Sequence, residues 1–163
     1  QSVNLAEILD EVLLLLEQRP HPATLKIARE YPHTLSAHLD PQQIRQALWN
    51  LCLNAAEAMP EGGELRVSAR TAADENSERI VISVSDTGTG IRPHDLPHIF
   101  EPFFSTKAHG SGIGLALVHR IVQDHGGEIE VRSEPGAGTT FRLTLPLTLP
   151  SPPAGGEDQG EGV

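Results

Sequence analysis

Ile80-Val81-Ile82-Ser83-Val84-Ser85-Asp86-Thr87-Gly88-Thr89-Gly90 carries the strongest structural signal in the chain. Ile80, Ile82 and Val84 alternate with Val81, Ser83 and Ser85, the period-two pattern of a strand with one buried face. Asp86 has the parity of the apolar set, so it continues the inward row. A carboxylate there needs a partner, because an unpaired buried charge is costly. It can accept a hydrogen bond from an exocyclic amine such as that of adenine. The glycines that follow let the backbone approach a flat ligand and take positive φ. A tight turn with a capping Asp would use the same residues, and the stretch alone leaves both readings open.

Upstream, Leu65, Val67 and Ala69 mark a partner strand, joined to the first by a polar hairpin loop from Ala73 to Glu78. Before it, Asp40-Pro41 starts a helix, with Asp as cap and Pro in the first turn. The helix runs to about Met59 and stops at Pro60 and Gly62-Gly63. Ile44, Ala47, Leu48, Leu51, Ala55 and Ala58 share one face. Gln46, Asn50, Asn54 and Glu57 share the opposite one, which Leu53 interrupts and Trp49 borders, so this face is expected to line something. Amide oxygens are hard ligands suited to Mg²⁺; two surface amides are the plainer reading of the Asn pair taken by itself. Asn4 to Gln18 reads as an earlier helix with Leu5, Ile8, Leu9, Val12, Leu13 and Leu16 at helical spacing, Asn4 as cap and Glu7 as its capping-box partner. Leu25 to Tyr31 is a candidate strand and Ser36 to Leu39 a short extended piece.

Downstream, Asp86 to Lys107 is rich in Gly, Pro and Thr, with one helical turn expected near Asp95 to Phe100. Gly110-Ser111-Gly112-Ile113-Gly114 opens a third helix carrying Leu117, Val118, Ile121 and Val122, ended by Gly126-Gly127. Bare amides and the positive dipole end at such a start make an anion site, to which Lys107 can add a point charge. The spacing is neither a Walker loop nor the dinucleotide fingerprint, and a flexible hinge is the alternative. Ile129 and Val131, then Phe141, Leu143 and Leu145, mark two last strands around the turn Glu134 to Gly138. Thr139 has inward parity. The stretch 149–163, dominated by Pro, Gly and acidic residues, is expected to be a disordered tail. The outline is α/β, a two-layer sandwich of a mixed sheet and helices, mostly linked by hairpins.

The composition narrows the function. With 12 Lys plus Arg against 22 Asp plus Glu, the 163-residue chain carries a net charge of -10, which disfavours nucleic-acid binding. One cysteine, Cys52, rules out an internal disulfide and a cysteine zinc site. No apolar run reaches the ~18 residues needed to cross a bilayer. The chain begins at Gln1 and its only methionine is Met59, so it is expected to be a piece of a longer protein.

Five segments stand in an order that resembles the catalytic, ATP-binding domain of sensor histidine kinases. Asn50-Leu-Cys-Leu-Asn54-Ala-Ala-Glu-Ala58 is similar to the N box, and Asp86-Thr-Gly-Thr-Gly90 to the first glycine box. Phe100-Glu-Pro-Phe-Phe104-Ser-Thr-Lys107 is similar to the F box, and Gly110-Ser-Gly-Ile-Gly114-Leu115 to the second glycine box. Gly136-Ala-Gly-Thr139-Thr-Phe141-Arg-Leu143 resembles the closing strand. The resemblance covers roughly Ser2 to Pro146 and is strongest to nitrogen-regulation-type kinases. It implies the Bergerat ATP-binding fold, shared with the DNA gyrase ATPase subunit, heat-shock chaperones and MutL.

What the resemblance implies can be written residue by residue. Asn54 would ligate Mg²⁺, Asp86 would bond the adenine amine and Thr139 would support it. Gly88 and Gly90 would border the base, with Ile91, Phe100 and Leu115 beside the nucleotide. Gly110, Ser111, Gly112, Ile113 and Gly114 would cover the phosphates of ATP under a mobile lid, about Arg92 to Ser111, with Lys107 as a phosphate contact. Asn50 stands where the ATP-hydrolysing relatives carry a water-activating Glu. A neutral amide cannot act as a general base, so transfer to a protein acceptor is favoured over fast hydrolysis. Asn50, Asn54 and Lys107 are therefore the candidate catalytic set.

The acceptor itself is not in the chain: His21, His33, His38, His94, His98, His109, His119 and His125 all lack the family's phosphorylation context. Residues 1–20 resemble the linker after a dimerisation hairpin, and 21–148 the catalytic domain. The implied partners are the dimerisation and phosphotransfer domain of a parent protein, a homodimer, and the receiver domain of a response regulator; the piece itself would be a monomer. The implied location is cytoplasmic, leaving open whether the parent is anchored in the inner membrane. The alternatives are another ATPase or an anti-sigma-type serine kinase of the same fold, or a non-catalytic nucleotide-binding module. Asn50 argues against the hydrolysing clamps, and Phe100 to Lys107 against the serine kinases.

Overall fold

The computed structural model describes residues 2–73, 75, 77–104 and 114–147. Its elements run β1 (Ser2–Asn4), α1 (Leu5–Gln18), β2 (Leu25–Glu30), β3 (Ser36–His38), α2 (Pro41–Glu57), β4 (Gly63–Ala73), β5 (Glu78–Asp86), α3 (Gly114–Asp124), β6 (Glu128–Glu134) and β7 (Gly138–Pro146), with a 3-10 turn at Leu96–His98. Five strands form one sheet in the order β2-β4-β5-β7-β6.

Every neighbouring pair in that sheet is antiparallel except β2 with β4, which is parallel. The parallel pair corrects the expectation of mostly hairpin links. Parallel strands need a long crossover, and here α2 lies within it. One sheet face carries Leu65, Val67, Ala69, Ile80, Ile82, Val84, Phe141, Leu143 and Leu145, all buried against the helices. From α1 come seven buried side chains: Leu5, Ala6, Ile8, Leu9, Val12, Leu13 and Leu16. They belong to the same apolar core as the residues that follow. Among the described residues no helix is long and apolar enough to cross a membrane.

Local chemistry fixes the helix starts. The Asn4 Oδ1 accepts from the Ala6 amide at 3.1 Å and from the Leu35 amide at 2.8 Å, while its Nδ2 donates to the His33 carbonyl at 3.3 Å. One side chain thus caps α1 and ties it to the loop before β3. The Asp40 carboxylate accepts from the amides of Gln42 and Gln43 at 3.0 and 3.2 Å, and Pro41 fills the first position of α2, as the sequence leads one to expect. The Asp40 amide donates to His125 Nε2 at 3.1 Å. The other ring nitrogen of His125, Nδ1, donates to the Ile121 carbonyl at 2.8 Å. This buried ring therefore pins the end of α3 to the start of α2.

β1 has no counterpart in the sequence reading. It pairs antiparallel with β3 over three residues, too few for alternation to register. The His38 amide of β3 also donates to the Leu147 carbonyl at 3.3 Å, so the chain leaving β7 passes beside the same strand.

Candidate nucleotide-binding site

Asp86 ends β5, the central strand of the sheet, and is 5% exposed. Its carboxylate accepts from the Gly88 amide at 2.8 Å and from the Thr139 amide. Burial pushes its pKa above the ordinary carboxylate range, against the opposing pull of those two amides. Thr139 is opposite Asp86 in register and only 6% exposed. Both side chains face inward, as their parity indicates. Leu65, Asp86, Thr139 and Ser133 occupy one row across β4, β5, β7 and β6. That row puts polar groups at one end of an otherwise apolar inner face.

The backbone after Asp86 threads a narrow path. Gly88 has no room for a Cβ, which would run into the Ala58 carbonyl at the end of α2. The Thr89 amide donates to that same carbonyl at 3.2 Å, and the Thr89 carbonyl accepts from the Gly136 amide at 2.7 Å. Gly90 takes φ +77° against the Glu134 backbone, a conformation that side-chain-bearing residues rarely adopt. The glycine box therefore joins the end of α2 to the β6–β7 turn, a packing demand that exists before any ligand enters.

Asn50 and Asn54 lie half-buried on α2, and Gly114 begins α3 beside them. A Cβ on Gly114 would stand 3.7 Å from Asn50 Cγ. The first turn of α3 thus meets the amide face of α2, which brings two of the anticipated motifs together. Gln46 and Glu57 of the same face are exposed. Phe100 is half-buried and packs tilted against the His119 ring at 5.2 Å and edge-on to Phe141 at 6.3 Å. It anchors the segment after the first glycine box to α3 and to the core. Ile91 and Leu115 are half-buried against the core. Lys107, Gly110, Ser111, Gly112 and Ile113 lie outside the described residues.

Ser133 escaped the sequence reading. It accepts from the Ile91 amide at 2.7 Å, contacts Thr139 Oγ1 at 2.8 Å and donates to the Gly138 carbonyl at 3.1 Å. Its signal was available: Ser133 has the parity of Ile129 and Val131 and so continues their inward row, as Asp86 does in β5. Among the described residues no three His, Cys, Asp or Glu side chains gather into a metal cage. A hard cation here would have to rely on few protein oxygens, the usual situation for Mg²⁺ held mainly by phosphates and water.

Comparison with known proteins gives the class first. The model of the histidine kinase-, DNA gyrase B-, and HSP90-like ATPase family matches residues 39–149, and the chain belongs to that family. Its relatives then define the branch. The chain is 39% identical over 150 residues to the sensor histidine kinase ZraS of Escherichia coli (strain K12), covering 91% of this chain and 31% of that protein. It is 37% identical over 148 residues to the signal transduction histidine-protein kinase AtoS of the same strain, covering 90% and 24%. The chain thus spans less than a third of the length of these relatives. Among solved structures, the nucleotide-free catalytic domain of the histidine kinase ThkA matches with a TM-score of 0.79 and 31% identity, covering 91% of this chain and 95% of that one. Full-length ShkA in complex with AMPPNP matches with a TM-score of 0.75 and 31% identity, covering 94% and 32%. The chain is a histidine kinase-type ATPase catalytic domain, with the sandwich fold of that group, and ATP is the ligand its family implies.

Proposed function

We propose that this chain binds ATP with Mg²⁺ and presents the γ-phosphate to a histidine on the dimerisation domain of a longer protein, for relay to the aspartate of a response regulator. The observation that carries the proposal is Asp86: a buried carboxylate at the end of the central strand whose neighbours fix it as an acceptor. In this reading Asp86 takes the adenine amine and Thr139 supports it. Gly88, Gly90, Ile91, Phe100 and Leu115 border the nucleotide. Asn54 offers its amide oxygen to Mg²⁺, which would neutralise phosphate charge. The first turn of α3, Gly114 with Gly110, Ser111, Gly112 and Ile113 ahead of it, faces the phosphates together with Lys107.

Phosphoryl transfer needs alignment and charge neutralisation more than covalent help, and these residues suit that task. Asn50 supports transfer over hydrolysis, because an amide has no basic lone pair with which to deprotonate water. Residues 1–20 would follow the dimerisation hairpin, 21–148 would form the catalytic domain and 149–163 a disordered tail. The chain alone would be a monomer, the parent a homodimer and the domain cytoplasmic.

Calorimetric titration with ADP and Mg²⁺ tests the binding step. Saturable heat at micromolar nucleotide is expected, and no heat at high micromolar concentration would defeat the proposal. With radiolabelled ATP the chain by itself should stay unlabelled. Label stable to base and labile to acid would show that one of its own eight histidines is an acceptor.

A further inference from the structure

Ser133 belongs to none of the five motifs, yet its hydroxyl has three polar neighbours. It accepts from the Ile91 amide at 2.7 Å, donates to the Gly138 carbonyl at 3.1 Å and stands 2.8 Å from Thr139 Oγ1. A hydroxyl holds one proton and two acceptor sites. The carbonyl can only accept and the amide can only donate, so the Ser133 proton goes to Gly138 and one lone pair goes to Ile91. The remaining lone pair faces Thr139, and the Thr139 hydroxyl must donate to it. With its proton spent, Thr139 Oγ1 has only lone pairs to offer anything else. Asp86 beside it, ionised and accepting from the amides of Gly88 and Thr139, likewise offers only lone pairs.

We propose that Ser133 is a specificity-determining residue that makes the base pocket acceptor-only, so that it takes 6-aminopurines and rejects 6-oxopurines. The inference rests on the assignment of Asp86 and Thr139 to the base. An adenine amine brings the protons that such a pocket lacks. An oxopurine could turn its N1–H to Asp86, but its O6 would then face the Thr139 oxygen with no proton between them. That juxtaposition leaves a buried acceptor unsatisfied. Ser133 acts through Thr139 and is a positioning residue, not a catalytic one. In Ser133→Ala the Thr139 proton is released and can turn to an O6.

The test is calorimetric binding of ADP and of IDP, each with Mg²⁺, to the wild type, Ser133→Ala and Ser133→Thr. IDP differs from ADP only at the 6-position and the adjoining N1 proton, so 2-amino sterics do not enter. Loss of the Ile91 bond or a looser fold weakens both nucleotides alike and cancels in their ratio. The ADP preference should narrow about tenfold in Ser133→Ala, the worth of one hydrogen bond, and return in Ser133→Thr, which keeps the hydroxyl. If the wild type prefers ADP and Ser133→Ala prefers it equally, the inference falls while the base assignment stands. If the wild type binds ADP and IDP equally, or neither, the base assignment falls and the inference with it.

Discussion

The Asp86 carboxylate has two opposed claims on it. Its pKa is raised in the fold by burial, so the folded chain holds that proton to higher pH than the unfolded chain does. Ionising it therefore costs stability, which is full at the acid side and declines as pH rises through the window between the unfolded and the raised folded value. Nucleotide binding needs the ionised acceptor and fails as pH falls through the same window. Asp86→Asn keeps an oxygen for the Gly88 and Thr139 amides and removes the charge. Thermal melting should show equal or greater stability with that pH dependence gone, while ADP affinity measured by calorimetry drops on the order of 10–100-fold. A variant that loses stability and keeps ADP would refute the role.

Cys52 is a simpler case. Burial pushes its thiol up to about 12, and a disulfide-exchange reagent should label it only as fast as the domain opens. The inward direction of Asp86 was legible because a strand alternates strictly. The partners of Ser133 were not, since they depend on a cross-strand register that no local pattern contains.

Helices announced themselves through caps, and strands only where they were long. Asn4 and Asp40 were readable as caps because each is a short polar side chain just ahead of an apolar repeat. What the sequence concealed about Asn4 is its bonding to Leu35 and His33 across a loop. Asn4→Ala should therefore cost more than an ordinary cap, about 2–3 kcal/mol in chemical denaturation. A loss of half a kcal/mol would mean that the cross-links contribute nothing. Gly88 carries a similar lesson. It reads as a place for a ligand to approach, but the Ala58 carbonyl already occupies the space a side chain would need. Gly88→Ala should shift the end of α2 and cost about 1–3 kcal/mol even without nucleotide. The parallel pairing of β2 went unread because two strands flanking a helix carry no mark of direction.

The core draws on nearly the whole length of the described chain, from Leu5 to Leu145. Its existence and its two layers were legible from periodicity; that α1 belongs within it follows from packing alone. The seven α1 side chains buried there contribute roughly 1.5–3 kcal/mol for each large one. That sum exceeds the 5–15 kcal/mol by which domains of this kind are typically stable. A chain shortened to begin at residue 21 should lose cooperative unfolding and bind a hydrophobic dye. Retention of a sharp melt would show that the remaining core stands alone.

The ribbon of β1 and β3 also gives the molecule a mechanical handle. Force applied at the N-terminal end is borne by three zipped residue pairs and passes along β3 into Leu39 and Asp40. There it meets the clasp on α2 and the histidine that fastens α3 to it. Both helices whose inner ends flank the candidate phosphate region are thus gripped at one lever point. A twist delivered at that point would reorient them together, while the strand bearing Asp86 stays where the sheet holds it.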